Sequence, residues 1–355
     1  MIKNYFLFAA TLFSTLVTVG QTRTAFVETF TSSTCPPCAS GNINLEAVLA
    51  DPQNDDKYVS LKYQMNWPGN GDPYYTDEGG TRRGVYGVSG VPDTRVDGGA
   101  NIFTGTFAQS DLDASYINPA KANITVVYEV NEAAKTISIE GDVEMLVNTN
   151  PGMRIYLAVF EYSTQNNVGT NGETSFEHVM KKMLPGDGGV VMPPMSAGDI
   201  YHFEQTYQFN GNYTLPASAQ SQTNHAIEHS IEEFSDLGVA AWVQTLSTRE
   251  VYNAQYGVPG TVSVNSNPTN SIASAKIYPN PTLSNTILAI QTVKEQNIAI
   301  DIVDGLGQVI SSEQLLKVQA GRTTHKMNVS DLRKGLYTVR ISSPNGLISR
   351  RLVIN

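Results

Sequence analysis

The sequence predicts a multi-domain chain in which a small α/β unit is followed by two all-β regions. Three observations support this fold class. The two cysteines lie close together near the N-terminus, between a strand-like run and a helical run. Alternation of apolar and polar residues begins near Ala120 and continues through several short segments. A stretch rich in Ser, Thr, Asn and Pro, residues 263–276, is predicted to be a linker to a last alternating region.

The first 20 residues are predicted to be a secretory signal peptide that is removed from the mature chain. Lys3 provides the positive start, Tyr5 to Val19 is an apolar run, and Thr18-Val19-Gly20 offers small residues for cleavage. A membrane anchor is the alternative, but the run is short, contains Thr and Ser, and is not followed by a basic stop signal. We therefore expect no membrane span in the mature chain.

The charge of the chain argues against two classes of partner. The formal net charge of the 355 residues is −10. Nucleic acids and anionic membrane surfaces are bound through basic patches, so neither is expected as a partner. Secretion implies an oxidising compartment, in which a cysteine pair can be a purely structural disulfide.

The motif Cys35-Pro36-Pro37-Cys38 contains both cysteines of the chain at the C-x-x-C redox spacing. The run Ala25–Phe30 before it is predicted to be a strand. The run Ala39–Leu49 after it is predicted to be a weakly amphipathic helix, with Ile43, Ala47 and Val48 on one side. The first sulfur would then lie near a helix N-terminus, which favours the thiolate that attacks disulfides. Cys35 is the predicted nucleophile, and Cys38 would resolve the mixed disulfide.

A structural role for the cysteine pair remains an alternative at this point. The closure of so short a loop stabilises a fold by only about 2 kcal/mol, whereas a hundred-residue loop gives nearly 5 kcal/mol. Thiol chemistry is therefore the favoured interpretation of the motif.

A second motif resembles thioredoxin. The segment Tyr86–Gly98 is similar to the thioredoxin segment that carries the cis-proline beside the dithiol, with Pro92 in the place of that proline. The resemblance implies that the backbone of Val91 pairs with an extended substrate. A predicted strand, Tyr58–Met65, and a following helical stretch separate the two motifs, and a helix at Ala108–Tyr116 closes the unit. We expect a thioredoxin-like domain over residues 21–118.

The loop Asn66–Gly80 is longer than in a minimal thioredoxin. Trp67, Tyr74 and Tyr75 can line a substrate groove there. Aromatic residues in a long loop more often hold the loop in place, and we favour that interpretation.

Residues 119–262 are predicted to form an antiparallel β-sandwich, because apolar residues recur at every second position in short segments separated by turns. Strands are predicted at 124–130, 137–139, 154–160, 200–209, 239–246 and 250–255. Two stretches, Phe176–Leu184 and Asn224–Phe234, are predicted to be less regular.

Histidines in this region do not form a convincing metal site. His225 and His229 are four residues apart, with Glu228 and Glu232 nearby, and on a helix the two rings would share a face. A metal site is the alternative, but the order is not H-E-x-x-H and no third ligand is fixed by spacing, so we interpret this as a solvated face. His178 and Asp187 have less support still. We assign no metal and no cofactor.

The C-terminal region, residues 277–355, consists of alternating strands and glycine turns. Four blocks carry a resemblance to a known family: Lys276–Thr282, Asp304–Gln308, Val329–Arg340 and Ser349–Asn355. They are very similar to the type A sorting domain of the type IX secretion system. The resemblance implies a small Ig-like β-sandwich, recognition by the type IX machinery, and a secreted or cell-surface protein from which the sorting domain is commonly removed.

The first two domains together resemble the secreted thioredoxin-like proteins called outer membrane protein 28-related. The residues that carry the resemblance are Thr34–Cys38, Asn66–Gly69, Tyr86–Pro92, His178–Pro185, Gly238–Gln244 and Glu250–Tyr252. Two positions depart from an efficient thioredoxin. Thr34 stands where thioredoxins usually have Trp, and Thr29 stands where they have a buried carboxylate that assists the second cysteine. Glu28 is adjacent, but strand alternation places it on the other face.

The sequence therefore predicts an exported thiol–disulfide exchange protein whose substrates are protein thiols or disulfides. Cys35 and Cys38 would carry the chemistry, and Val91 and Pro92 would position the substrate. The alternative is a non-enzymatic surface protein for adhesion or ligand binding, in which the disulfide belongs to a scaffold.

Overall fold

A computed structural model gives the structure of the chain and describes residues 23–216, 218–260, 262, 272–292, 294–304, 308–343 and 346–354. The predicted signal peptide and most of the predicted linker lie outside the described residues. The chain divides into two compact units, Met1–Val262 and Ser263–Asn355, and each is described by itself.

The first unit begins with alternating strands and helices and continues with strands. Its elements in chain order are β1 (Ala25–Thr31), α1 (Pro36–Leu49), β2 (Tyr58–Gln64), α2 (Asp77–Tyr86), β3 (Asp93–Val96), α3 (Gln109–Tyr116), β4 (Ala122–Asn131), β5 (Thr136–Met145), β6 (Met153–Thr164), β7 (Phe176–Leu184), β8 (Val190–Val191), β9 (Ile200–Gln208), β10 (Asn212–Tyr213), β11 (Glu228–His229), β12 (Leu237–Thr245), β13 (Val251–Tyr256) and β14 (Val258–Pro259). The predicted closing helix, Ala108–Tyr116, and the long strands predicted after residue 118 are confirmed, with bounds that differ from the prediction by a few residues.

The largest sheet crosses the predicted boundary at residue 118. Its strand order is β13-β12-β6-β7-β2-β1-β3, with β8 paired to β6. β1 is parallel to β2 and antiparallel to β3, and β2 meets β7 in parallel through Lys62 and Val179. The prediction of an irregular Phe176–Leu184 is wrong, because this segment is the strand that joins the α/β part to the β-rich part. A register shift against β6 and three consecutive buried residues hide the period-two alternation that marks a strand.

A second sheet, with order β14-β4-β5-β9, packs against one face of β6 and β12. The apolar residues of β4 alternate with polar ones, so that Ile124, Val126 and Tyr128 point into the shared core. Val159 and Val239 face them from β6 and β12. The two layers form the sandwich that the alternation predicts, and one of its layers belongs to the large sheet.

The opposite face of the large sheet curves around a second core. Phe26 on β1 stacks on Trp242 on β12, with ring centroids 4.5 Å apart. Tyr156 stacks on the same tryptophan at 5.2 Å. Because β1 and β12 are four positions apart in the strand order, this contact requires a strongly twisted sheet that brings its ends together.

Helix α2 covers this core with a fully buried arginine. The Arg82 Nη2 atom lies 2.6 Å from Glu28 Oε1, and neither side chain is exposed. Tyr63 donates to the same carboxylate at 2.9 Å, and Arg82 Nη1 donates to Gln244 at 3.0 Å. A buried ion pair is tolerated only when its remaining hydrogen bonds are satisfied, and this network satisfies them with residues from both parts of the unit.

Helix α1 begins directly after Cys35, with Pro36 at its first position, where the missing N–H costs nothing. Its buried residues are Cys38, Gly41, Asn42, Leu45 and Leu49. The predicted apolar side is wrong: the Ile43 side chain is 70% exposed and Ala47 is also exposed. The buried stripe contains small and polar residues, which hydrophobic periodicity does not detect.

The second unit is a sandwich of two sheets around one core. Its strands are β15 (Ile272–Tyr278), β16 (Asn285–Thr292), β17 (Gln296–Val303), β18 (Val309–Val318), β19 (Gly321–Asn328), β20 (Gly335–Ser343) and β21 (Gly346–Ile354). The sheets have the orders β15-β16-β19 and β18-β17-β20-β21. Leu288, Ile300 and Val339 belong to the core between them. Across the described parts of both units, no helix is long and apolar enough to cross a membrane.

Candidate functional site

The cysteine turn lies between β1 and α1. Cys35 and Cys38 form a disulfide, and Cys35 occupies the N-cap position of α1. The Cys35 N–H donates to the Ser32 carbonyl oxygen at 3.0 Å, and the Cys38 N–H donates to the Cys35 carbonyl oxygen at 3.0 Å. The strand–dithiol–helix arrangement predicted from the sequence is present, and it places the sulfur of Cys35 at the start of the helix.

The predicted substrate-positioning residues lie beside this turn. The Cys35 Sγ atom is 3.5 Å from the Val91 carbonyl oxygen, and the Val91–Pro92 peptide bond is cis. Pro92 packs against α1 at Gly41, where a Cβ atom would lie 3.2 Å from the proline ring. The structure therefore brings together all four residues that the sequence predicts for the site.

The two sulfurs are almost completely covered. Cys35 is 2% exposed and Cys38 is not exposed at all. Pro36 and Pro37, between them, are exposed. The proline tip of the turn is therefore open to solvent, whereas the two cysteines whose sulfurs would react are buried.

A segment between β6 and β7, residues 165–173, packs on the turn just before Cys35. The Asn171 N–H donates to the Ser33 carbonyl oxygen at 3.0 Å, and the Asn171 side chain reaches the Ser32 carbonyl oxygen at 3.3 Å. A Cβ atom on Gly169 would lie 2.4 Å from the Ser33 carbonyl oxygen, so the two backbones are in close contact. Nothing in the composition of this segment links it to a motif so far earlier in the chain, so the sequence gives no signal of the contact.

Asp72 connects the same segment to the cysteine turn. Its buried carboxylate accepts from the Ser33 N–H at 3.1 Å, from the Tyr74 N–H at 2.8 Å and from the Asn167 side chain at 3.1 Å. Burial raises the pKa of Asp72 to about 6, against the opposing effect of these hydrogen bonds. A titratable group thus contacts both the turn and the segment that covers it.

The position of the missing carboxylate is occupied by a chain of hydroxyl groups. Thr29 Oγ1 lies 3.0 Å from Thr94 Oγ1, which lies 2.9 Å from Thr104 Oγ1, and all three side chains are buried. Glu28 lies on the other face of β1, as strand alternation predicts, where it is paired with Arg82. No carboxylate of β1 therefore faces the dithiol side of the sheet.

The aromatic loop residues have separate roles. Tyr74 is fully buried, and its hydroxyl donates to Glu232 at 2.6 Å, so it holds the loop in place as the favoured interpretation predicts. Trp67 is half-buried, and the next residue, Pro68, accepts a 2.6 Å hydrogen bond from the Thr34 hydroxyl. Trp67 is thus held next to the cysteine turn.

The prediction that His225 and His229 lie on a solvated helix face is wrong. They are 7% and 3% exposed, lie outside any helix, and pack around the ring of Phe209. Burial lowers the pKa of His225 to about 4 and that of His178 to about 4. The described residues contain no group of three or more His, Cys, Asp or Glu side chains arranged to hold a metal ion.

The C-terminal unit matches a known protein family. Residues 276–355 match the family of secretion system C-terminal sorting domains. The tail is a type IX sorting domain. It directs export across the outer membrane to the cell surface or the extracellular space, and it implies interaction with the type IX secretion machinery. No curated protein matches the chain.

Several solved structures match this chain over different shares of its length. HBP35 of Porphyromonas gingivalis superposes with a TM-score of 0.51 at 14% identity, over 94% of this chain and 99% of that one. A protein from Agrobacterium tumefaciens has a TM-score of 0.44 at 16% identity, over 69% of this chain and 98% of that one. A domain of the outer membrane lipoprotein Omp28 from Porphyromonas gingivalis has a TM-score of 0.25 at 20% identity, over 40% of this chain and 92% of that one. The likeness to HBP35 is one of fold.

Proposed function

We propose that this exported protein exchanges thiols and disulfides with polypeptide substrates, through Cys35 and Cys38 on a thioredoxin-like unit of residues 21–118. The proposal rests on the 3.5 Å contact between Cys35 Sγ and the Val91 carbonyl oxygen, beside the start of α1. The Val91 N–H has no hydrogen-bond partner within the described part of the chain. A loop backbone with a free N–H beside the reacting sulfur suits pairing with an extended substrate.

The exchange proceeds in two displacements. A substrate thiolate attacks Cys35 Sγ, the bond to Cys38 Sγ breaks, and Cys38 leaves as a thiolate. A second substrate thiolate then attacks the substrate sulfur of the mixed disulfide and expels Cys35. Two electrons pass from the substrate dithiol to the protein disulfide, and the two substrate protons end on Cys35 and Cys38. In the reverse direction the Cys35 thiolate attacks a substrate disulfide and Cys38 resolves the mixed disulfide.

Access to the sulfur is a separate requirement. A thiolate must approach Cys35 Sγ in line with the S–S bond, and Cys35 is only 2% exposed. Exchange therefore requires a local displacement of the groups that cover the turn, among which residues 165–173 have the contacts described above.

A non-enzymatic surface protein for adhesion or ligand binding is the second candidate. It is favoured by the burial of both sulfurs and by Thr29, which cannot act as a general base for Cys38. In this alternative the disulfide belongs to a scaffold and the β-rich part carries the binding surface.

Reduction of a model peptide disulfide by the wild type and by Cys35→Ser and Cys38→Ser variants tests the proposal. We expect the wild type to be at least about a hundredfold faster than either variant, since each variant interrupts one displacement. We also expect the reduction potential of the Cys35–Cys38 couple to lie within about −270 to −120 mV, the range of thiol oxidoreductases. Equal rates, together with a potential below about −300 mV, would establish the scaffold alternative.

A further inference from the structure

Arginine side chains gather around the C-terminal end of α2. Arg82 is buried and neutralised by Glu28, but the next residue, Arg83, is exposed. The Arg95 guanidinium lies 5.5 Å and that of Arg249 6.0 Å from the centroid of the Tyr86 ring, which is on the last residue of the helix. Two exposed cations, Arg83 and Arg249, thus lie near the same end of α2 in a chain whose net charge is −10.

Arg83 is held in a defined position by two contacts. Its guanidinium lies 4.3 Å from the centroid of the Trp67 ring, and its Nε atom donates to the Val88 carbonyl oxygen at 3.0 Å. A guanidinium stacked in this way keeps its outer N–H groups available for a carboxylate. Trp67 therefore acts as a platform that orients Arg83.

This platform lies next to the candidate site on two sides. Pro68, which follows Trp67, accepts the hydrogen bond from Thr34 immediately before Cys35. Val88, whose carbonyl oxygen accepts a hydrogen bond from Arg83, is three residues before Val91 in the same loop. A substrate chain that pairs with Val91 would therefore pass close to Trp67 and Arg83.

Two of these cations have no acidic partner. Arg95 is paired with Asp93 at 2.6 Å. Arg83 and Arg249 make no ion pair with any carboxylate of the described residues, and the Arg249 guanidinium makes a long 3.4 Å hydrogen bond to the Val85 carbonyl oxygen. Their charge is directed at solvent beside the site, where it attracts anionic groups.

We propose that Trp67, Arg83 and Arg249 form a docking surface beside Cys35 for an extended polypeptide with acidic side chains. The inference rests on the proposed function for its biological meaning, since it names the substrate class of that site. Arg83 binds a carboxylate through its outer N–H groups, and Arg249 binds a second acidic side chain further along the chain. Acidic sequences are thereby brought to the dithiol in preference to neutral ones.

Binding of a cysteine-free peptide to the full-length protein tests this docking surface without requiring catalysis. The probe is a capped peptide of sequence Glu-Ala-Glu-Ser-Ala-Glu, and the comparison is its Gln counterpart. The chain has two tryptophans and Trp242 is fully buried, so fluorescence reports on Trp67; Trp67→Phe confirms the assignment. We expect the acidic peptide to bind at least about tenfold more tightly than the Gln peptide, and its affinity to fall with added salt.

Arg83→Gln and Arg249→Gln should each weaken binding of the acidic peptide about tenfold and leave that of the Gln peptide unchanged. Arg322→Gln, in the second unit, is the matched control and should change neither. Because Arg83 also bonds Val88, the Arg249 variant keeps the test valid if the first variant distorts the loop. Equal affinity for the two peptides, or acidic binding that survives both substitutions, overturns the docking surface. Acidic binding without any exchange activity supports the docking surface and contradicts the proposed function.

Discussion

At the scale of single residues, burial decides the chemistry of the charged groups around the site. Asp72 is held by three hydrogen bonds inside the protein, and Glu28 is held by Arg82 and Tyr63. None of the ion pairs among the described residues includes Asp72, so burial penalises its charged form and raises the pKa of Asp72 to about 6. The two carboxylates are both buried, and they differ in whether the structure supplies a compensating charge.

Asp72 makes stability depend on pH in a predictable direction. Its pKa is near 4 in the unfolded chain and about 6 in the folded one. Its stabilising contribution is therefore complete below about pH 4 and is lost as the pH rises through 6. We expect the free energy of unfolding of the wild type to fall between pH 4 and pH 7 by about 2 kcal/mol more than that of Asp72→Asn, measured by urea titration. The exposed Asp55→Asn is the control; a wild-type pH dependence in Asp72→Asn contradicts the prediction.

At the scale of elements, a strand and a loop that are distant in sequence determine the accessibility of the dithiol. β7 pairs with β2, and this pairing carries the preceding segment, residues 165–173, to the cysteine turn. The segment contributes hydrogen bonds from Asn171 and the close approach of Gly169 to Ser33. The β-rich region, which follows the α/β part in the chain, thus supplies a segment that packs on a site in the α/β part.

Gly169→Ala should make the disulfide easier to reduce. The added Cβ atom would lie 2.4 Å from the Ser33 carbonyl oxygen, so the segment or the turn must move. A clash of this kind costs on the order of 1–3 kcal/mol. Displacement of the segment relieves the clash and exposes the sulfurs, so we expect the disulfide to be reduced about tenfold faster or more. The measurement is the rate at which a water-soluble phosphine reduces the Cys35–Cys38 disulfide, followed by thiol labelling. Gly186→Ala, where a Cβ atom meets nothing within 4 Å, is the matched control. An unchanged rate in Gly169→Ala would show that the segment does not restrict access.

At the scale of the whole molecule, the hydrophobic cores show which parts of the chain depend on one another. One cluster contains Phe26, Tyr63, Phe160 and Trp242, so it draws on both sides of residue 118. The cluster of the second unit contains described residues from Ala275 to Ile354 and none from the first unit. The α/β part therefore shares one of its hydrophobic clusters with the β-rich part, although a smaller cluster around Val27, Leu45 and Leu112 is its own. The sorting domain has a core of its own.

Truncation tests this dependence. A fragment of residues 21–118 loses Trp242, on which Phe26 stacks, Gln244, one of the hydrogen-bond partners of Arg82, and one neighbour of β2, so we expect no cooperative unfolding transition. A fragment of residues 21–262 should keep the transition that the same unit shows in the full chain, within a few degrees. Differential scanning calorimetry measures both. A sharp transition in the shorter fragment would show that the α/β part folds without the β-rich part.

The sequence by itself determined the features that depend on neighbouring residues. The spacing of Cys35 and Cys38 between a strand and a helix, the period-two alternation after Ala120, and the sorting-domain blocks are local signals. The sequence also predicted that Cys35 lies beside Val91, because both motifs resemble those of thioredoxin and the resemblance implies this contact.

Only the tertiary structure decided the features that depend on residues far apart in the chain. The strand β7, the buried side of α1 and the burial of His225 escaped prediction, because each is set by packing against segments that sequence patterns do not name. The cover over the dithiol and the position of Arg83 on Trp67 are of the same kind. The physical reason is that local patterns report the conformation of a segment, whereas exposure and charge environment are properties of the surroundings that folding assembles.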